Sequence, residues 1–332
     1  MQLSNKEIEE RISDSYELPN RVFEAVPEPV ITVRTSAYQH GNYIRKCLEG
    51  VLMQKTSFPF EFIIGEDYST DGTREIVFEY AKKYPDIIRV ITAEHNVGMK
   101  ANGFRCRIRA RGKYMALCEG DDYWTDPGKI QKQVDFLESN PDYAAVFTNA
   151  YFVNEINNTT KKYVSNLIEG EVKLEDIIQI GGYIYPTASI MYRNDCYDIS
   201  LTNPGLAGDT FLILNLALNG RIYFMDHISC IYRRWKGGVY SSKKNDKDAL
   251  VKLKKQNISG YLDIDRLTEF KYHSLFKRKI SSECLTILQI GKGTDNLCHI
   301  RLMNLKDILK WVNILIVYKL KSMLKYIRLI KG

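Results

Sequence analysis

An α/β fold built on a mostly parallel, doubly wound sheet with helices on both faces is what this sequence predicts, and three observations carry the prediction. Short apolar runs rich in β-branched residues alternate with segments whose apolar residues recur at helical spacing. That strand-helix order repeats from residue 30 to residue 148. The strand-like runs end in polar turns, and in such sheets ligands bind beyond the carboxyl ends of the strands. The expected division is an N-terminal extension over residues 1–26, the α/β domain over 27–245, a helical extension over 246–294 and a basic amphipathic helical tail over 295–332.

Val30-Ile31-Thr32-Val33-Arg34-Thr35 reads as the first strand, with Pro27 and Pro29 as its entry. The loop Ser36-Ala37-Tyr38-Gln39-His40-Gly41 leads to a helix that aligns Ile44, Leu48 and Val51. Glu61-Phe62-Ile63-Ile64-Gly65 is the second strand. Its turn, Glu66-Asp67-Tyr68-Ser69-Thr70-Asp71-Gly72-Thr73, opens a helix with Ile76, Val77 and Tyr80 facing inward, and Asp71 is suited to cap it. Ile88-Arg89-Val90-Ile91 is the third strand, followed by the loop Asn96-Val97-Gly98-Met99-Lys100-Ala101-Asn102 and a helix through Ile108.

Tyr114-Met115-Ala116-Leu117-Cys118 is the fourth strand. Beyond it Ile130, Val134 and Leu137 mark a helix for which Asp126 is the expected cap and Pro127 the first residue. Ala144-Ala145-Val146-Phe147-Thr148 is another strand, and the polar residues 154–162 read as a connection. The core resumes with Tyr185-Pro186-Thr187-Ala188-Ser189-Ile190-Met191-Tyr192. Gly208-Asp209 opens a helix with Leu212, Leu216 and Asn219 along one side. Strands around residues 222–225 and 230–234 close the domain, and Lys236-Gly237-Gly238-Val239 reads as flexible. The sequence has no internal repeat and no low-complexity tract.

Composition narrows the function classes. With 332 residues, 45% hydrophobic and 26% charged, the chain buries an ample core. Its seven cysteines are scattered without a Cys-any-any-Cys pair and read as packing residues in a reducing compartment. The five histidines show no zinc spacing, and no Ser-His-Asp or Cys-His nucleophile is suggested. The polar opening lacks the apolar core of a secretion signal, so a cytoplasmic location is expected. Of the net charge of +7, residues 295–332 supply +6, so a basic partner surface belongs to the tail.

The chemistry concentrates in Glu119-Gly120-Asp121-Asp122-Tyr123-Trp124. Three carboxylates within four positions at the end of an apolar strand repel one another unless a cation sits among them, and a divalent metal resolves this most simply. Trp124 is suited either to stack on a ligand ring or to pack in the core.

Taken together, these turns resemble a bacterial glycosyltransferase of family two, which has the GT-A fold and inverts the sugar it transfers. The resemblance covers residues 28–240. It rests on the first strand and its loop, on Glu66-Asp67-Tyr68-Ser69-Thr70-Asp71-Gly72-Thr73, on Glu119-Gly120-Asp121 and on Tyr232-Arg233-Arg234-Trp235-Lys236-Gly237-Gly238. It implies that Thr35, Ala37 and Tyr38 belong to the nucleotide loop. Glu66 and Asp67, Asp67 foremost, are implied to meet the base, with Asn96, Gly98 and Lys100 lining its pocket. Glu119 with Gly120 is implied for the ribose side, and Asp121, then Asp122, for Mg²⁺ or Mn²⁺. Asp209 is the implied general base; Arg233, Arg234 or Lys236 are candidates for phosphate charge. Ala37, Gln39, Glu66 and Trp235 depart from the family pattern, Trp235 at a position where the family has histidine.

The expected activity is metal-dependent, inverting transfer of a sugar from a nucleotide diphosphate donor, a uridine one, to a saccharide or lipid-linked saccharide in bacterial surface polysaccharide synthesis. No nucleic acid partner is expected. The alternatives are a nucleotidyltransferase, for which residues 36–41 lack a Gly-rich phosphate loop, and a degenerate member that binds without turnover. In the tail, residues 311–318 are too short for a bilayer, which needs ~20 apolar residues. Lys321, Lys325 and Arg328 oppose Leu320, Leu324 and Ile327 on a helix. That pattern suits either peripheral attachment to an anionic membrane or docking on the domain.

Overall fold

In the computed structural model the described residues are 5–20, 28–164, 166–198, 206–238, 247–290, 303, 308 and 309. The expected membrane-binding tail helix, with Lys321, Lys325 and Arg328, lies outside them, as does Val239 of the glycine-rich segment.

The elements run α1 (Asn5–Ile12), β1 (Tyr16–Glu17), β2 (Ile31–Ala37), α2 (Ile44–Leu52), β3 (Phe60–Glu66), α3 (Thr73–Lys83), β4 (Ile88–Thr92), α4 (Met99–Arg107), β5 (Tyr114–Leu117), β6 (Tyr123–Trp124), α5 (Lys129–Ser139) and β7 (Tyr143–Asn154). They continue with β8 (Thr159–Lys162), β9 (Gly170–Val172), α6 (Leu174–Ile180), β10 (Ile190–Arg193), α7 (Gly208–Asn219), β11 (Arg221–Arg234), α8 (Lys247–Leu267) and α9 (His273–Ile290). The chain divides into two compact units, residues 1–200 with 208–238, and residues 201–207 with 239–332.

In the first unit one sheet runs β1-β4-β3-β2-β5-β10-β7-β11-β6, with β8 on β7 and β9 on β11. The β4-β3-β2-β5 block is parallel, and β7 and β11 pair in parallel over their length. β10 enters antiparallel between β5 and β7.

Side-chain alternation explains the two covered faces. Ile31 and Val33 of β2, Phe62 and Ile64 of β3 and Ile88 and Val90 of β4 join the core that receives Leu48 and Val51 of α2, Val77 of α3 and Ile130, Val134 and Leu137 of α5. The intervening Ile63 and Ile91 meet Cys106 of α4 on the opposite face. The helical spacing read from the sequence thus marks the buried stripes of α2, α3 and α5.

Several local expectations are corrected. Asp126 does not cap α5: the cap position is Gly128, and the Asp126 carboxylate instead accepts the Gly128 N–H at 2.9 Å in a turn ahead of the helix. Residues 154–162 are a turn plus β8, an antiparallel partner for β7. The two closing runs form one strand, β11, with register shifts near Met225 and Ile228. Asn219 is exposed, while Leu212 and Leu216 are buried.

The second unit is described by α8 and α9. Ile258, Tyr261 and Ile264 of α8 and Phe276, Ile280, Cys284 and Ile287 of α9 are buried. The Tyr261 and Phe276 rings lie 6.2 Å apart. No helix among the described residues is long and apolar enough to cross a membrane.

Candidate active site

Three turns meet at the carboxyl ends of adjacent parallel strands. Tyr38 to Tyr43 follows β2, residues 67–72 follow β3, and residues 118–122 follow β5. Burial of the strands fixes where the turns emerge; a network of hydrogen bonds fixes them to one another.

The first two turns are laced together. Gln39 N–H donates to Ser69 Oγ at 3.2 Å, Gln39 Nε2 to Thr70 Oγ1 at 3.1 Å, and Thr70 N–H to Gln39 Oε1 at 3.2 Å. His40 N–H donates to Thr73 Oγ1, and Gly41 N–H to Asp71 Oδ2, both at 2.8 Å. Asp71 also accepts from Thr73 at the start of α3; these hydrogen bonds outweigh its burial and hold its carboxyl below the usual range. Gln39 and Tyr68 adopt left-handed backbone conformations, φ of 56° and 61°. Such conformations cost roughly 1–2 kcal/mol each outside glycine, so the cross-links hold backbone that would otherwise relax. Gln39, a departure from the family pattern, is therefore one of the residues that join the two turns, and it does so through both its backbone and its side chain.

Asp67 is 2% exposed, and its carboxylate faces inward. Oδ1 accepts Val97 N–H at 2.9 Å, Oδ2 accepts Gly98 N–H at 3.0 Å, and its carbonyl accepts Asn96 Nδ2 at 3.0 Å. The structure thus joins Asp67, Asn96 and Gly98, and it does so by making Asp67 the anchor of the loop. Arg105, fully buried on α4, supports the same corner through the Glu66 carbonyl at 2.8 Å; nothing in its sequence context signalled it. Glu66 has no exposed surface and spends its oxygens on Ser69 N–H and Thr92 Oγ1, behind the turn rather than on its open side. Lys100 is exposed on the first turn of α4.

Thr35 and Ala37 are likewise fully buried. Thr35 Oγ1 donates to the Cys118 carbonyl at 2.6 Å, and the Ala37 carbonyl accepts Asp67 N–H at 3.0 Å, so both tie turns together. Tyr38 is 46% exposed and opens to solvent beside them; Tyr68, which the sequence reading passed over, is 41% exposed on the adjacent turn.

The acidic turn closes on itself and on both neighbours. Asp122 N–H donates to the Glu119 carbonyl and Gly120 N–H to the Ser36 carbonyl. Glu119 accepts Arg34 Nη2 at 3.2 Å and Ser36 N–H at 3.3 Å. A Cβ on Gly120 would stand 2.5 Å from His40 Nδ1 and 3.1 Å from the Ser36 carbonyl, so a larger residue here has to displace the imidazole. Asp122 is 2% exposed, and its Oδ1 accepts the backbone N–H of Arg233 at 2.7 Å. Burial and the charge of Asp121 push the Asp122 carboxyl well above the usual carboxylate range.

Arg233 is buried and committed. Its Nη1 donates to the Asp121 carbonyl at 2.7 Å, its Nε pairs with Glu155 at 3.0 Å, and its guanidinium covers the Tyr43 ring at 4.5 Å. Trp235 Nε1 donates to Asp121 Oδ2 at 2.9 Å. Arg234 is half-buried and Lys236 is exposed at the end of the segment. Trp124 is 1% exposed with its indole N–H on the Ala188 carbonyl at 2.6 Å, so it packs in the core and does not offer a face to a sugar.

Asp209 stands in the first turn of α7, half-buried. Burial and the Glu119 charge push its carboxyl up to about 6, against the opposing effects of a Thr187 hydrogen bond and Arg34. Gly181 to Tyr185 wall it in: a Cβ on Gly182 would lie 2.8 Å from the Asp209 Cβ, and Tyr185 Oη donates to the Asp209 carbonyl at 3.1 Å. Glu119 is thus the group that links the acidic turn electrostatically to Asp209. Among the described residues no group of three or more His, Cys, Asp or Glu side chains is arranged to hold a metal ion.

Comparison with known proteins agrees with this geometry. Residues 32–198 match the family model described as "Glycosyl transferase family 2". An uncharacterized protein of Mycobacterium tuberculosis is 33% identical over 217 residues, 65% of this chain and 62% of that protein, so the chain spans less than two thirds of that relative's length. The putative teichuronic acid biosynthesis glycosyltransferase TuaG of Bacillus subtilis is 37% identical over 111 residues, 33% of this chain and 42% of that protein. Among solved structures, S. aureus TarS residues 1–349 in complex with UDP-GlcNAc superposes with a TM-score of 0.53 at 18% identity, covering 78% of this chain and 81% of that one. The mannosyltransferase PcManGT of Pyrobaculum calidifontis, in complex with GDP-Man and Mn²⁺, superposes with a TM-score of 0.52 at 12% identity, covering 83% and 79%. At such identities the likeness is one of fold.

Proposed function

The chain belongs to glycosyl transferase family 2 and has the GT-A fold, and we propose on that premise that it transfers a sugar, with inversion, from a UDP-sugar to a saccharide or lipid-linked saccharide of a bacterial surface polysaccharide. The observation that carries this reading is the convergence, at the carboxyl ends of the central strands, of the nucleotide-type turns, the Glu119-Asp122 turn and the perturbed Asp209 carboxyl.

Residues 27–245 form the catalytic domain in this reading. Tyr38 offers its exposed ring to the base, and Asp67 acts by holding Asn96 and Gly98 in the pocket wall. Glu119, held by Arg34 and Ser36 N–H and partly exposed, takes the ribose hydroxyls on the lone pairs those bonds leave. Lys236, exposed at the end of the segment, supplies the cation for the diphosphate, since Arg233 is committed to Asp121 and Glu155.

Inversion needs one base to accept the acceptor hydroxyl proton as its oxygen attacks the anomeric carbon, and Asp209 fills that role. A carboxyl raised to about 6 is a stronger base than an ordinary one and is still ionised near neutrality. The proton ends on Asp209, and the bond from the anomeric carbon to the diphosphate oxygen breaks.

An all-oxygen donor set suits Mg²⁺ or Mn²⁺, and Asp121 fits such an ion because, among the described residues, its Oδ1 makes no hydrogen bond. Asp122, whose Oδ1 is taken by Arg233, stands behind it in the ligand order. A bound divalent ion offsets the charge on the departing diphosphate.

The deciding experiment is thermal shift and donor hydrolysis across a panel of nucleotide sugars, with Mn²⁺ or chelator. Wild type should be stabilised by one donor only with metal; Asp121→Ala should lose that shift, and Asp209→Asn should bind without turnover. If no nucleotide sugar binds with metal present, the transferase reading fails. For the basic tail over residues 295–332 we propose peripheral contact with an anionic membrane. Equal partitioning of tail-deleted and full-length protein onto phosphatidylserine vesicles would remove that proposal.

A further inference from the structure

The last strand delivers Trp235 onto the acidic turn, and the contact is built rather than incidental. The indole ring packs against Tyr43 with centroids 4.8 Å apart and meets His40 edge-on at 6.2 Å. Gly237 lies under it so closely that a Cβ there would stand 2.1 Å from Cζ3. Arg233, two residues earlier, pins the same turn through its backbone N–H on Asp122 and its guanidinium on the Asp121 carbonyl. The direction of the Trp235 N–H toward Asp121 Oδ2 is therefore fixed by packing on three sides.

Four of the six carboxylate oxygens of the turn have hydrogen-bond partners. Glu119 gives its two to Arg34 and Ser36, Asp122 gives Oδ1 to Arg233 while buried, and Asp121 gives Oδ2 to Trp235. An indole N–H only donates, so Trp235 cannot itself ligate a cation. Two oxygens are without a hydrogen bond among the described residues: Asp122 Oδ2, on a side chain only 2% exposed, and Asp121 Oδ1, the one on the more open residue. A hard divalent ion seeks about six oxygen ligands and usually keeps several waters when the protein supplies one or two.

We propose that Trp235 is a positioning residue that restricts Asp121 to one-oxygen ligation, so that a divalent cation is captured together with a nucleoside diphosphate and not ahead of it. The inference rests on the transferase reading above, and in it the diphosphate oxygens complete a shell that the protein alone leaves incomplete. The indole does this by holding Oδ2 out of reach, which prevents Asp121 from chelating through both oxygens. Cation and diphosphate thereby become thermodynamically linked: each strengthens the binding of the other by the same factor.

The test is a titration of the full chain with Mn²⁺, followed by electron paramagnetic resonance, with and without UDP, on wild type, Trp235→Phe and Trp235→His. Wild type should bind Mn²⁺ weakly alone and about tenfold or more tightly with UDP, within the usual range of coupling. Trp235→Phe keeps the ring and frees Oδ2; Mn²⁺ alone should bind several-fold more tightly and the gain from UDP should shrink. Trp235→His adds a ring nitrogen and should give the tightest binding without nucleotide. In the wild type, where folding is not at issue, Mn²⁺ with UDP should change Trp emission, and Mn²⁺ alone should not. If wild type binds Mn²⁺ with UDP but both variants titrate like it, Trp235 does not act on Asp121 and this inference alone falls. If wild type binds no Mn²⁺ even with UDP, both this inference and the metal-dependent reading fall.

Discussion

Oδ2 of Asp67 accepts the N–H of Gly98 at 3.0 Å across 31 residues of sequence, while Oδ1 takes the N–H of Val97. A buried carboxylate serving two amides is a strong local clamp, since hydrogen bonds to charged groups contribute about 1.5–3 kcal/mol each. Asp67→Ala strands both amides and should lower stability by about 3 kcal/mol in urea denaturation. Asp67→Asn, which keeps one acceptor, should lose about half of that. An unchanged unfolding midpoint for Asp67→Ala would mean that the loop is held by something else.

Asp209 makes a prediction with two signs. If it is the base, the rate at subsaturating acceptor rises with pH through about 6 and is flat above. Its folded-state pKa lies above that of an unfolded carboxyl, so the folded state binds the proton more readily. The charged form therefore costs stability, and that cost appears as pH rises from about 4 to about 6 and persists above. Asp209→Asn should consequently raise the melting temperature at pH 8, leave it nearly unchanged at pH 4, and abolish turnover at both. A variant less stable at pH 8 would contradict the buried, proton-favouring environment.

Glycine substitutions around the acidic turn should separate by what the new methyl meets. At Gly50 a Cβ would stand 2.8 Å from both the N and O atoms of Trp124, which are backbone and cannot step aside. Gly50→Ala should cost about 1–3 kcal/mol and displace the turn that precedes Trp124. Gly128→Ala meets nothing nearer than 3.5 Å and should stay within about 0.5 kcal/mol of wild type. Equal melting temperatures for the two would show that α2 yields instead.

Much of the first unit could be read from the sequence because β2, β3, β4 and β5 are apolar runs and α2, α3 and α5 carry regular buried stripes. Thr159–Lys162 escaped notice because every residue of β8 is exposed and leaves no alternation to detect. Asp126 carried the signature of a helix cap but serves a preceding turn, since Gly128 takes the cap position. The acidic turn and Asp209 could be found by composition and place, because carboxylates at strand ends demand a reason. The contacts that decide what those carboxylates can do were not visible. Trp235 on Asp121, Arg233 on Asp122 and Gln39 on Thr70 join segments whose register only the folded sheet sets.

The antiparallel insertion of β10 has a consequence for the order in which the protein is assembled. Arg193 pairs with Tyr114 across 79 residues, and until β10 arrives β5 has a bare edge on the side where β7 will eventually lie. Closing so distant a pairing carries an entropic cost that contacts between near neighbours avoid, and β5 bears it on both edges, since Thr35 at the end of β2 reaches Cys118 across 83 residues. The acidic turn hangs from the end of that unfinished strand. The centre takes its final shape only once the polypeptide has doubled back through its own middle, and until then β5 offers an adhesive margin.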